Sequence, residues 1–163
     1  MTNPIRLWIC AAYQPVYRCG GWAAVRAGQG PVFGVAGGER HTTASRTALC
    51  GLAAGLRDLP PAAAIEIQTT SPELAGLADF IASLGAPTQA AGPDEDLDLW
   101  AQIAAAARGR RLSLARTPLD PAAPIGFAAA WAELARDKAK AAGAFTAAIP
   151  KPNLAKIPGL DLR

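Results

Sequence analysis

The sequence predicts an α/β domain in which helices flank a mixed sheet of five strands. Three observations carry this prediction. The N-terminal part holds three short apolar segments separated by breaks rich in glycine and proline, which is typical of an antiparallel meander. Helical and strand patterns alternate after it, which is typical of parallel additions to the same sheet. With 163 residues, the chain has the size of one domain that buries an ordinary core.

The antiparallel meander occupies residues 7–12, 22–27 and 31–36. Each segment is short, apolar and bounded by glycine or proline. The break at Gly28-Gln29-Gly30-Pro31 predicts a hairpin turn between the second and third strands, because glycine tolerates positive φ.

The later elements are predicted from helical periodicity, strand alternation and capping residues. The first is a helix from a Thr42 or Thr43 cap to about residue 58, which is followed by a fourth strand over 64–69 and a helix from a Ser71 cap to about residue 84. A loop over 85–98, a helix over 99–108 and a fifth strand over 110–116 come next. The last elements are a Pro-rich loop over 117–124 and a helix over 126–142.

The domain is expected to span residues 1–145, followed by an extended or flexible tail over 146–163 that contains three prolines and exposed lysines. We find no run of 18 apolar residues, which argues against a membrane span. The N-terminus lacks an apolar segment with a cleavage site, so we expect a cytoplasmic protein. Three cysteines without CxxC spacing then predict reduced thiols.

The charge of the chain is unevenly distributed. The formal net charge is +3, of which the segment 150–163 carries +2 and the rest of the chain only +1. A nucleic-acid-binding domain usually shows a basic stripe on its folded body. The nearly neutral body therefore disfavours, without excluding, nucleic acid as the main partner.

Five segments, in order and spacing, are similar to one known family. They are LWICAAYQPVYRCGGW (7–22), GGERHTTASRTAL (37–49), IEIQTTS (65–71), DLW (98–100) and AELAR (132–136). Together they resemble the ribonuclease H family of type 1 (RNase HI-like) over residues 5–142. The resemblance implies the ribonuclease H topology. It also implies, for active members, hydrolysis of the RNA strand of an RNA/DNA hybrid.

Active members of that family hold two divalent metal ions, typically Mg²⁺, with four carboxylates. The positions that match these carboxylates are Cys10, Ala48, Thr70 and Ala132. Mg²⁺ prefers anionic oxygen ligands, which none of the four supplies. The family's histidine loop is also absent from 117–132. The resemblance therefore implies that all four catalytic carboxylates are lost, and we expect no catalytic residue, no metal site and no cofactor.

Other titratable groups do not make up a replacement site in the sequence. Glu66 shares a strand face with Thr70 but lies about 13 Å away at the usual strand rise. Asp120 lies in the loop that replaces the histidine loop and is expected to be solvated. The acidic run over 94–98 is typical of a solvated helix N-terminus. His41 is expected in a surface loop.

Three functions remain open. The first is a catalytically inactive ribonuclease H-like protein that serves as a protein-interaction or regulatory module for an unknown protein partner. The second is a non-cleaving protein that binds an RNA/DNA hybrid or duplex weakly. Its candidate contact residues are Thr43, Ser45, Arg46, Arg110 and Arg111. The third, ranked last, is a ribonuclease H with relocated metal ligands.

Overall fold

The computed structural model describes residues 3–61, 64–86 and 92–160. Within these residues, six strands form a single sheet: β1 (Ile5–Gln14), β2 (Cys19–Ala27), β3 (Phe33–Glu39), β4 (Ala64–Thr69), β5 (Arg111–Arg116) and β6 (Phe145–Ala148). Their spatial order is β5-β4-β1-β2-β3-β6. β1, β2, β3 and β6 pair antiparallel, whereas β4 joins β1 and β5 joins β4 in parallel. The mixed α/β sheet is confirmed, with one strand more than expected.

Six helices lie in the same described ranges: α1 (Ala44–Gly55), α2 (Pro72–Ala75), α3 (Ala78–Ser83), α4 (Leu97–Ala107), α5 (Pro124–Ala142) and α6 (Lys151–Leu154). Among them, none is long and apolar enough to cross a membrane.

The sheet is buried on both faces along β1. Successive strand side chains point to opposite faces, so Ile5, Leu7 and Ile9 pack into one apolar cluster beneath α1 to α4. Trp8 and Cys10 pack into a second cluster beneath α5 and α6. This two-sided burial explains why residues 7–12 of β1 form a continuous apolar run rather than an alternating pattern.

Gly21 on β2 permits the closest approach between a helix and the sheet. A Cβ atom at this position would collide with the Arg136 main-chain nitrogen and the Ala132 carbonyl oxygen, both on α5. The backbone of α5 therefore packs directly on the backbone of β2. The second glycine of the GGW sequence has a steric role at this contact.

The start of α1 agrees with the sequence, and the region after β4 differs from it. Thr43 caps α1, its hydroxyl oxygen accepting a hydrogen bond from the Arg46 main-chain N–H at 3.1 Å. α1 ends at Gly55 rather than near residue 58. The single helix expected from Ser71 to residue 84 is two short helices, α2 and α3, because α2 ends in a turn at Gly76.

The segment after residue 145 differs from the extended or flexible tail expected over 146–163. β6 extends the sheet beside β3, and Ile149, Leu154 and Ile157 are buried in the second cluster. The close packing has a visible cause at Gly34, where a Cβ atom would lie 2.7 Å from the Leu154 Cδ2 atom. Residues 146–160 are therefore packed on the domain; residues 161–163 of the expected tail lie outside the described part of the chain.

Candidate functional site

Cys10 and Thr70 meet where β4 ends beside the middle of β1. Ile9 is the register partner of Thr69 in this parallel pair, which brings the following residues together. The Thr70 hydroxyl donates a hydrogen bond to the Cys10 Sγ atom at 3.4 Å. The Cys10 thiol donates in turn to the carbonyl oxygen of Ile125, in the first turn of α5, at 3.4 Å. This chain of hydrogen bonds, which we call the neutral centre, ties β1, β4 and α5 together.

The thiol of the neutral centre is buried and uncharged. Cys10 is 1% exposed. Burial raises the pKa of the Cys10 thiol, and the hydrogen bond from Thr70 opposes this rise with a smaller effect. The ordinary pKa of a cysteine already lies above neutral pH, so the group is a thiol and not a thiolate at pH 7. Cys10 is therefore a packed hydrogen-bonding residue here.

The other two positions that match the family's carboxylates lie in the core. Ala132 on α5 is 1% exposed and belongs to the same cluster as Cys10. Ala48 on α1 is fully buried in the cluster on the opposite face of the sheet. Of the four positions, the structure brings Cys10 and Thr70 into direct contact.

The residues of the neutral centre do not fit Mg²⁺. This ion requires several oxygen ligands, at least one of which is usually a carboxylate. The thiol proton of Cys10 is directed at a carbonyl oxygen, and the hydroxyl proton of Thr70 is directed at the sulfur. In the part of the chain that the structure describes, no three His, Cys, Asp or Glu side chains are grouped as a metal site would need.

The two carboxylates considered as substitutes lie on different elements, Asp120 in the loop before α5 and Glu66 on β4. Asp120 is exposed, and its Oδ1 atom accepts the main-chain N–H of Ala122 at 2.9 Å within the loop before α5. It lines a cleft of 310 Å³ together with Trp8 and Gln68. Glu66 is exposed on β4. Each supplies a single carboxylate, whereas two metal ions need several.

A second cleft, of 500 Å³, lies directly beside the neutral centre. Its lining includes Thr70, Arg116 and Thr117. Arg116 is exposed and pairs in register with Thr69, and the Thr117 N–H donates to the Thr69 carbonyl oxygen at 2.8 Å. Arg116 is not among the candidate contact residues predicted from the sequence. Its position at the end of the last parallel strand was the signal that could have found it.

Arg46, a candidate contact for nucleic acid, is engaged within the protein. Its Nη1 atom lies 3.0 Å from Asp96 Oδ1 and its Nη2 atom 2.9 Å from Asp98 Oδ2, and Glu39 lies 3.9 Å from its Nε atom. The hydrogen bond from Arg46 lowers the pKa of the Asp98 carboxyl. The positive charge of Arg46 is thus locally neutralised, while the hydroxyl of the neighbouring candidate Thr43 caps α1.

The remaining candidates do not form one surface. Ser45 is exposed on the first turn of α1. The Arg110 Nη1 atom donates to the Ala106 carbonyl oxygen near the end of α4 at 3.1 Å. Arg111 begins β5, so it lies roughly 17 Å along the strand from Arg116 and the neutral centre. Arg110 and Arg111 are therefore at the opposite end of the parallel strands.

No protein-family model matches the chain, and no curated protein matches its sequence. Its fold is similar to that of several solved structures. The N-terminal RNase H domain of Rv2228c from Mycobacterium tuberculosis, solved as a fusion with maltose-binding protein, is 20% identical with a TM-score of 0.59, and the match covers 85% of this chain and 96% of that one. LC9-RNase H1, a type 1 RNase H with the type 2 active-site motif, is 14% identical with a TM-score of 0.61, covering 95% and 81%.

LC11-RNase H1 in complex with an RNA/DNA hybrid is 16% identical with a TM-score of 0.60, and the match covers 83% of this chain and 98% of that one. Together with the observed sheet order, these similarities show that the chain has the ribonuclease H-like fold. Because sites vary independently of folds, activity has to be argued from the residues.

Proposed function

We propose that this protein is a ribonuclease H-like domain that does not cleave RNA by the two-metal mechanism and that serves as a protein-interaction or regulatory module. The observation that carries the proposal is the neutral centre. Its buried thiol, its hydroxyl and the Ile125 carbonyl oxygen satisfy one another. They leave no anionic oxygen for a hard divalent cation.

The charge pattern supports the same proposal. The acidic residues Asp96 and Asp98 are directed at Arg46 on the surface, and the buried positions Ala48 and Ala132 carry no polar group. Clustered carboxylates repel one another without a metal, so a chain with no metal to bind gains stability from neutral residues. The pattern supports the part of the proposal that concerns the lack of a two-metal site.

The test of inactivity is incubation of the full chain with a labelled RNA/DNA hybrid in the presence of Mg²⁺, and separately of Mn²⁺. The hybrid is expected to remain intact. Metal-dependent cleavage that is abolished in an Asp120→Asn or Glu66→Gln variant would overturn the proposal in favour of relocated ligands. Cleavage that survives both substitutions would indicate a contaminating nuclease, which a mock purification identifies.

A non-cleaving nucleic-acid-binding function is the second candidate. The ribonuclease H-like fold supports a role connected with nucleic acid, and the cleft beside Thr70 carries Arg116, for which the described residues provide no ion-pair partner. Binding of an intact hybrid should be measured at about 150 mM salt, where screening suppresses unspecific charge attraction.

For that candidate, Arg116→Ala should weaken binding and reduce its salt dependence, because a phosphate contact is lost. Arg111→Ala is the matched control, since it removes the same charge from the far end of the same strand. Submicromolar hybrid binding that depends on Arg116 and not on Arg111 would favour this second candidate over a protein-interaction module.

A further inference from the structure

The two edges of the sheet are protected to different degrees. The β5 edge begins and ends with Arg111 and Arg116 and has Arg110 immediately before it. The β6 edge has the sequence Phe-Thr-Ala-Ala, with no charged residue and no proline. Natural proteins usually protect edge strands with charge, proline or a covering segment, because an open edge pairs with other chains. β6 lacks the first two protections.

The outer side of β6 offers free main-chain groups. The Ile149 N–H donates to the Gly34 carbonyl oxygen at 2.9 Å, so the main chain of Ile149 faces β3. Hydrogen-bonded pairs alternate along an antiparallel ladder. Thr146 and Ala148 therefore direct their N–H and C=O groups away from β3. Within the described residues, no further strand lies on that side.

An apolar groove of 300 Å³ runs beside β6 on the face covered by α5. Trp131 and Leu134 from α5 and Phe145 from β6 contribute to its lining. Leu134 is 61% exposed. Leu134 is not isolated, because Trp131 and Phe145 line the same groove, and a contiguous apolar patch of this kind is typical of a binding surface.

The groove also carries one cationic group, Lys138. Its Nζ atom lies 4.5 Å from the centre of the Phe145 ring. No carboxylate of the described residues lies within ion-pair distance of it. The ring attracts the ammonium group, and this contact holds the charge at the edge of the apolar groove. A partner's carboxylate would complement it.

On the basis of the proposed function, we infer that β6 and this groove are the protein-interaction site. The structure assigns as partner an extended segment of another protein that adds a strand to β6, with apolar side chains at alternate positions and a carboxylate opposite Lys138. An added strand places every second side chain on the α5 face, over Trp131 and Leu134. A second copy pairing through its own Phe-Thr-Ala-Ala strand would bring no carboxylate from that strand.

The probe is a short fluorescein-labelled peptide in which valines alternate with threonines around a central aspartate. A second peptide carries lysine in place of the aspartate. Binding to the full chain is measured by fluorescence anisotropy. The aspartate peptide is expected to bind about tenfold more tightly than the lysine peptide, and Lys138→Ala should remove this preference because the complementary charge is gone.

Three variants test the geometry of the site. Leu134→Glu should weaken binding of the aspartate peptide about tenfold. Leu119→Glu is its matched control and should leave binding unchanged, because Leu119 is 62% exposed and does not line the groove. Ala148→Pro removes an outward N–H without removing a bond to β3, so the variant should fold and lose binding. Urea unfolding of each variant checks that it is folded.

Equal affinity for the two peptides, no binding of either, or equal losses in Leu134→Glu and Leu119→Glu would overturn the inference. Concentration-dependent dimerisation that Leu134→Glu abolishes, with no peptide bound, would overturn the assigned partner in favour of a second copy. The hybrid assay on the same preparation separates the two proposals. Cleavage contradicts the proposed function, whereas an intact hybrid without peptide binding contradicts only this inference.

Discussion

Replacing Cys10 by aspartate tests whether the neutral centre accepts the charge that a metal site requires. The new carboxylate would be 1% exposed like the residue it replaces, with the Thr70 hydroxyl as a donor and the Ile125 carbonyl oxygen opposite it. Burial of this kind raises the pKa of a carboxyl by roughly 3 units. At about 1.4 kcal/mol per unit, the cost at pH 7 is about 4 kcal/mol. This is a large part of the usual free energy of unfolding, about 5–15 kcal/mol.

The assay is urea unfolding followed by circular dichroism at several pH values. The pKa of the introduced aspartate is higher in the folded than in the unfolded state. The cost is therefore fully present above the folded pKa, and it disappears as the pH falls towards the unfolded value of about 3.9. The difference in the free energy of unfolding between Cys10→Asp and the original chain should thus shrink as the pH is lowered from 7 to 4. Cys10→Ser carries no charge between pH 4 and pH 7. Its free energy of unfolding should differ less from that of the original chain, and this difference should not change with pH.

Two results would refute this reasoning. The first is a Cys10→Asp variant as stable as the original chain at pH 7, which would show that the site is open to water. Alternatively, millimolar Mg²⁺ could raise the unfolding midpoint of Cys10→Asp and leave that of Cys10→Ser unchanged. Such a shift would mean that one carboxylate is enough for the surroundings to form a metal site. We expect no shift with Mg²⁺ in either variant.

Three further predictions follow from the packing and the surface charges. Leu154→Ala should lower the free energy of unfolding by about 2–4 kcal/mol, measured in urea, since the side chain is 8% exposed; no change would mean that the C-terminal segment is not packed. Gly21→Ala should lower the free energy of unfolding by about 1–3 kcal/mol, because α5 must move to make room for the new Cβ atom. Gly76→Ala should leave it nearly unchanged, because a Cβ atom there meets nothing closer than 3.4 Å. Arg46→Ala should raise the pKa of Asp98 towards its usual value, measured by NMR titration, and leave any hybrid affinity unchanged. The stability that this ion pair adds is present above the usual pKa of aspartate and is lost as the pH falls below it.

β1, β2 and β3 could be predicted because their apolar segments are bounded by glycine and proline, and β4 and β5 because apolar and polar residues alternate along them. β6 could not, because it has four residues, three of them small and exposed, and pairs with a strand more than a hundred residues earlier. The tail was interpreted from its prolines and lysines. Its burial depends instead on Ile149, Leu154 and Ile157, whose contacts with β3 and α5 arise only once the sheet is assembled.

The sequence predicts which positions belong to the candidate site, but it does not predict the hydrogen bonds and ion pairs that these residues make. The family resemblance located Cys10 and Thr70, but the acceptor for the thiol is a main-chain oxygen 115 residues away, which no side-chain motif can indicate. The sequence predicts Arg46 as a phosphate contact. It does not predict the ion pairs of Arg46, because the acidic partners lie 50 and 52 residues later along the chain. Those aspartates had been interpreted as a solvated helix N-terminus, so the ion pairs went unpredicted.

The location of unsatisfied hydrogen-bonding groups in this fold argues for binding at the β6 edge rather than at the neutral centre. At the neutral centre, where β4 ends beside β1, the polar groups of Cys10 and Thr70 are satisfied within the protein, so a ligand that contacted these two groups would have to displace existing hydrogen bonds. At β6, the outward main-chain groups have no strand partner among the described residues, and Lys138 contacts the Phe145 ring but no carboxylate, so a ligand there adds hydrogen bonds and an ion pair without breaking any. An added strand gains most of its affinity from such main-chain bonds. A ribonuclease H-like scaffold whose neutral centre is closed in this way therefore retains main-chain groups for a partner at β6, which is the edge that we propose as the interaction site.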